Sequence, residues 1–104
     1  MLPKKRITTH PGEVLQIEFL EQLSISQTEL ARHIGVMPYV ICELANGRRG
    51  VSPRMAAMLS RALGTSPEFW LGLQADHDLT SLMHTREGKR VKSIAPIGSS
   101  RNAV

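Results

Sequence analysis

At 104 residues, 41% of them apolar and 4% aromatic, the chain has room for one domain with one sizeable core. Its single cysteine, Cys42, excludes an internal disulfide framework and fits a reducing cytoplasm, and neither a membrane-spanning apolar run nor an apolar leader is present. The net charge of +4 sits in the ends, because residues 11–84 are net acidic while Lys4, Lys5 and Arg6 at the start and Arg86, Lys89, Arg90, Lys92 and Arg101 near the end face only Glu87; this favours a polyanionic partner such as nucleic acid, with solubilising tails as the plainer reading.

Residues 1–9 lack apolar periodicity and are expected to form a mobile basic arm. His10-Pro11 opens the first helix, with proline where its missing N–H costs nothing and Glu13 favourable in the first turn. Leu15, Phe19, Leu20 and Leu23 are spaced to face a core, and the helix should end near residues 22–24.

Ser26 followed three residues later by Glu29 is a capping-box signature for a second helix over 27–34. Leu30, Ala31 and Ile34 share one face of it, and Gly35 supplies the positive φ of a sharp turn. A third helix over 38–45 presents Val40, Ile41 and Leu44, with Ala31 small where the two helices must cross. Helix, tight turn and helix make a helix-turn-helix, although any tightly packed helical hairpin has the same pattern. Residues 46–50 form a loop with adjacent Arg48 and Arg49.

Ser52-Pro53 starts a fourth helix with Met55, Leu59, Ala62 and Leu63 as its buried stripe, and Gly64 ends it. Ser66-Pro67-Glu68 repeats the device for a fifth, which carries Phe69, Trp70, Leu73, His77 and Leu79 towards His84. After Thr85, Gly88, Pro96, Gly98 and Ser99-Ser100 interrupt a basic stretch, so residues 85–104 read as a flexible tail, with Val91, Ile94 and Ile97 available to order against a partner. The expectation is an all-α domain of five helices over residues 10–84 between two flexible tails.

In a helix-turn-helix the first helix crosses the DNA backbone and the second lies in the major groove. Gln27 and Asn46 then stand on either side as phosphate contacts, with Arg48, Arg49 and Arg54 adding charge. Base readout falls to Met37, Pro38, Tyr39, Cys42 and Glu43. None of these is an Arg, Lys, Asn or Gln able to make bidentate base contacts, so specificity should be modest per base or depend on DNA shape. Tyr39 is read either as a groove contact or as an ordinary exposed aromatic, and Cys42 as a small residue without thiol chemistry. The fifth helix is apolar on nearly every side, which suggests a homodimer seam through Trp70, Leu73, His77 and Leu82; the alternative is that Phe69 and Trp70 finish the monomer core. His10, His33, His77 and His84 show no metal-ligand clustering, no phosphate loop or nucleophile elbow appears, and Ser26, Ser52 and Ser66 are explained as caps. Neither an enzyme nor a metal or cofactor is expected.

His10-Pro11-Gly12-Glu13, Gly47-Arg48-Arg49-Gly50 and the run from Gly64 through Gln74 resemble the HigA-type antitoxins of the Xre-like, lambda-repressor-like helix-turn-helix group. The resemblance covers about residues 10–80. It implies a lambda-repressor-like domain acting as a small dimeric repressor of its own operon. It also implies a HigB-type partner, an mRNA-cleaving toxin resembling RelE, neutralised by complex formation. Gln27 and Asn46 match phosphate-holding positions of that group. Pro38, Tyr39 and Val40 depart from its usual polar or basic residues, so no operator sequence carries over, and the tail after Thr85 lies outside the shared pattern. Two alternatives stand beside this reading: a stand-alone Xre-family regulator without a toxin, and an interaction module that has lost DNA binding.

Overall fold

The computed structural model describes residues 8–98, whose regular structure is entirely helical. Helix α1 covers residues 11–23, with α-helical Pro11–Val14 and Glu21–Leu23 flanking a π-helical Leu15–Leu20. It is followed by α2 (Gln27–Ile34), α3 (Pro38–Ala45), α4 (Pro53–Leu63), α5 (Pro67–Met83) and α6 (Arg86–Lys92).

Local chemistry sets most of these boundaries. The His10 ring caps α1, its Nδ1 accepting the Gly12 N–H at 2.9 Å. Ser26 and Glu29 form the reciprocal box at the start of α2, with bonds of 3.0 and 2.8 Å. Ser52 and Ser66 cap α4 and α5 by accepting the N–H groups of Met55 and Phe69. Gly35 ends α2 at φ 82° and Gly64 ends α4 at φ 75°, a region that side chains with a Cβ disfavour.

Three expectations need correction. A sixth helix stands where part of the flexible tail was expected, capped by Thr85, whose hydroxyl accepts the Gly88 N–H at 3.2 Å. Gly88 reads as a helix breaker, yet a Cβ there would lie 2.6 Å from Met83 Cα, so the tight α5–α6 corner requires glycine. Pro96 and Gly98 follow that helix; of the arm expected to be mobile over residues 1–9, Thr8 is instead tied to α5 by hydrogen bonds to Thr80 of 3.0 and 3.3 Å, while residues 1–7 and the tail's last residues, 99–104, lie outside the described residues. Leu23, expected in the core, is 55% exposed. The π-helical segment, marked by the Glu21 N–H bonding to Gln16 O, widens the turn and rotates the last residues of α1 off the buried face.

One core joins all five N-terminal helices: Leu15 and Leu20, Leu30 and Ala31, Ile41 and Leu44, Met55, Ala56 and Leu59, and Trp70. Phe19, Phe69 and Trp70 close one end as an aromatic cluster with ring centroids 5.0–6.2 Å apart. Among the described residues no helix is long and apolar enough to cross a membrane.

Candidate nucleic-acid interface

The placement of α3 follows from one close approach. Gly12 in the first turn of α1 lies against the Leu44 carbonyl and Ala45 Cα, 3.1 Å from where its own Cβ would be, so only glycine lets the two helices sit this near. With Ile41 and Leu44 buried, the helical period turns Met37, Pro38, Tyr39 and Cys42 fully outward and leaves Glu43 half-exposed. All five residues expected to read bases therefore line one open face. Val40 packs inward against the core instead.

The end of α3 runs into the arginine loop through a Schellman closure. The Arg48 N–H reaches Glu43 O at 2.8 Å and the Gly47 N–H reaches Leu44 O at 3.1 Å, with Gly47 at φ 74°. Arg49 then folds back over the exposed face: its Nε and Nη2 donate to Glu43 Oε1 at 3.1 and 2.7 Å, and its guanidinium lies 5.8 Å from the Tyr39 ring centroid. An expected phosphate contact and two expected base contacts thus form one cluster, in which Glu43 neutralises Arg49. Among the described residues Arg48 and Arg54 make no ion pair, and both are exposed. Asn46 caps α3 and donates through Nδ2 to Cys42 Sγ at 3.4 Å. Gln27, half-buried at the start of α2, donates through Nε2 to Gln16 Oε1 at 2.9 Å. Gln16 is a partner that periodicity does not single out, since it lies on another helix.

Behind the loop lies a set of polar side chains whose contacts with one another no sequence pattern shows. Gln74 on α5 accepts the Val51 N–H at 2.7 Å. His77, one turn on, stacks edge-to-face on His10 with centroids 4.9 Å apart. Its Nδ1 lies 2.7 Å from Thr8 O, and because a carbonyl only accepts, that nitrogen carries the proton. Burial, and after it the nearby His77, lower the pKa of His10 below its usual 6.5, with Asp78 and the Arg49 backbone opposing. Gln74 appears in the motif that marks the resemblance, but its bond spans 23 residues and no local pattern shows it.

Three of the four residues expected at a dimer seam are engaged within the chain. Trp70 is 0% exposed and donates from Nε1 to Thr65 Oγ1 at 2.6 Å, so it completes the monomer core, as the alternative reading had it. Leu73 packs against the same core, and His77 is held by Thr8 and His10. Leu82 remains 37% exposed; Leu79 on α5 is 50% exposed, and Ile94 beyond α6 is exposed as well. Among the described residues no three His, Cys, Asp or Glu side chains converge as metal ligands.

Two short helices joined at a positive-φ glycine, the second presenting an open face beside an arginine loop, define a helix-turn-helix domain. The helix-turn-helix family profile matches residues 17–70. Antitoxin HigA-1 of Vibrio cholerae is 38% identical over 96 residues, covering 90% of each chain. Virulence-associated protein A' of Dichelobacter nodosus is 43% identical over 74 residues, 70% of this chain, and the match spans 64% of that protein's length. Among solved structures, the Pseudomonas aeruginosa antitoxin HigA with the higBA promoter superposes with a TM-score of 0.81 at 35% identity, covering 88% of this chain and 99% of that one. The chain belongs to the helix-turn-helix family, in its Xre-like group of HigA-type antitoxins.

Proposed function

We propose that this protein is the antitoxin of a HigBA-like toxin–antitoxin module, acting in the cytoplasm by binding rather than by catalysis. As a homodimer it represses its own operon by occupying an operator, and it neutralises a RelE-like, mRNA-cleaving toxin by complex formation. The observation that carries this reading is the α3 face, on which Met37, Pro38, Tyr39 and Cys42 are exposed and Glu43 is half-exposed, with Arg49 folded over it from the arginine loop that follows. The likeness to an antitoxin solved with its promoter supports the same assignment. Gln27 and Asn46 hold phosphates on either side of the groove, and Arg48, Arg49 and Arg54 supply the salt-dependent share of affinity. Tyr39 and Glu43 read base edges once Arg49 swings from Glu43 to a phosphate. The dimer seam is assigned to Leu79 and Leu82 with the segment around Ile94, the apolar side chains left exposed there.

The test is fluorescence anisotropy with DNA from upstream of the protein's own gene against a scrambled duplex, at two salt concentrations. Operator preference of about 10³ or more is expected; the Gln27→Ala/Asn46→Ala double variant should lose affinity at both salt concentrations with the salt slope kept, because neither side chain is charged, whereas Arg48→Ala/Arg54→Ala should lower the slope by up to about two phosphates. Equal binding of both duplexes, at low salt alone, would leave only polyanion attraction. The toxin half is tested in the same preparation by co-expressing the product of the adjacent open reading frame; failure to co-purify with it, or to relieve its growth arrest, would remove that half.

A further inference from the structure

The loop between α3 and α4 carries Arg48 and Arg49, but belongs to no helix, and its outer side is solvent. Its inner side rests on α5. There Gln74 Oε1 accepts the Val51 N–H at 2.7 Å, while Gln74 Nε2 donates to Asp78 Oδ1 at 2.9 Å, one turn along the same helix. The assignment of the amide is dictated by its partners, because an N–H must face the oxygen and a carboxylate must face the nitrogen. The next residue back is laid flat on the same group: a Cβ on Gly50 would sit 3.1 Å from the Gln74 amide carbon and oxygen and 3.3 Å from its nitrogen. Val51 is buried, so its N–H has little water to turn to if the glutamine is removed. At the other end of the loop, a Cβ added to Gly47 would lie 3.9 Å from the ring of His10, which is stacked in turn on His77 of the same α5. The hydrogen bond that ties the loop to α5 is thus the one the Gln74 amide makes, at the Gly50–Val51 end.

We propose that Gln74 is a positioning residue for DNA binding. It touches no nucleic acid; it holds the Gly50–Val51 backbone so that Arg48 and Arg49 leave α3 in one conformation, and Asp78 fixes the direction of its amide. This role rests on the DNA-binding reading above. It also gives the Gly64–Gln74 motif a physical reason to end on glutamine: a side chain at that point of α5 must offer an acceptor to the loop and a donor to Asp78.

The experiment compares the full-length protein with Gln74→Met, Gln74→Glu and the double variant Gln74→Glu/Asp78→Asn. Gln74→Met keeps length and flexibility but offers neither acceptor nor donor. Gln74→Glu keeps the acceptor but sets a second carboxylate against Asp78. The double variant keeps the acceptor and re-forms the side-chain bond in the reverse direction, with the summed charge of the pair unchanged. Two readouts are taken: amide hydrogen exchange at Val51 in the free protein, and anisotropy with upstream DNA against scrambled DNA. The wild type should show a protected Val51 amide. Gln74→Met should lose about tenfold in both protection and operator affinity with its helical content retained. The single Glu variant should fall between, and the double variant should return close to wild type in both readouts.

A Gln74→Met protein that binds as tightly as wild type overturns the proposal. So does a folded double variant that fails to recover, because packing rather than the amide would then matter. A wild type that does not distinguish the two duplexes removes the DNA-binding reading and this role with it. That outcome is recognised from the wild-type titration alone, before any variant is compared.

Discussion

Replacing Gly12 by alanine drives a methyl group into the backbone of α3. The new Cβ would stand 2.6 Å from the Leu44 carbonyl carbon and 3.1 Å from Ala45 Cα, with the Leu44 oxygen nearer still. Ordinary carbon contacts need roughly 3.5–4.0 Å, so α3 would have to withdraw by about 1 Å or more. Overpacking of this kind costs ~1–3 kcal/mol, and the upper end applies because the obstacle is main chain, which has no rotamer to change. Alanine in a helix regains only ~0.5–1 kcal/mol over glycine. The net loss is ~2 kcal/mol, or a fall in Tm of roughly 8–16 °C for a domain of this size. Gly72 on α5 is the internal control, since nothing lies within 4 Å of its added Cβ. Gly72→Ala should raise stability by ~0.5–1 kcal/mol. Thermal and urea denaturation of both variants decide the matter. A Gly12→Ala protein within ~0.5 kcal/mol of wild type would mean that the α1–α3 approach does not set the position of α3, and the reasoning would fail.

Acid should loosen the start of α1 through His10. Its pKa is lowered by burial first and by His77 second, so between the folded value and 6.5 the unfolded chain binds the extra proton. Stability is thus complete above about pH 6.5, falls as pH drops towards the folded value and levels off below it; protonation also takes the Nδ1 lone pair from the Gly12 N–H. His10→Asn keeps a capping acceptor without a titrating ring, so its Tm should vary less than wild type between about pH 7 and 5; equal slopes would place the titration elsewhere. Glu43→Gln releases Arg49 from its carboxylate partner. It should strengthen binding to scrambled DNA and steepen the salt dependence by about one phosphate, while costing at most ~1 kcal/mol of stability because the pair is exposed. An unchanged salt slope would show that Arg49 does not reach the backbone. Leu79→Lys/Leu82→Lys places two charges on the assigned seam and should shift sedimentation towards monomer without lowering helical content. A dimer that persists at the same concentration would exclude that seam.

Features settled within about one helical turn are legible in the amino-acid order alone. Ser26 and Glu29 are three residues apart, and their box forms as expected. Gly35 and Gly64 end helices because a single residue must take positive φ. The outward set on α3 was legible for the same reason, since burying Ile41 and Leu44 leaves Tyr39 and Cys42 no other direction. The tertiary structure decided the pairings. Gln27 with Gln16, Val51 with Gln74 and Thr8 with His77 join residues 11, 23 and 69 apart. Gly88 is legible as a breaker until the backbone of Met83 is seen beneath it, and Trp70 fits a seam or a core equally well until Phe19 and Thr65 are seen around it. Periodicity records which face of a helix turns inward. It carries no record of which other helix arrives there, because that depends on how all the elements fill one volume at native density.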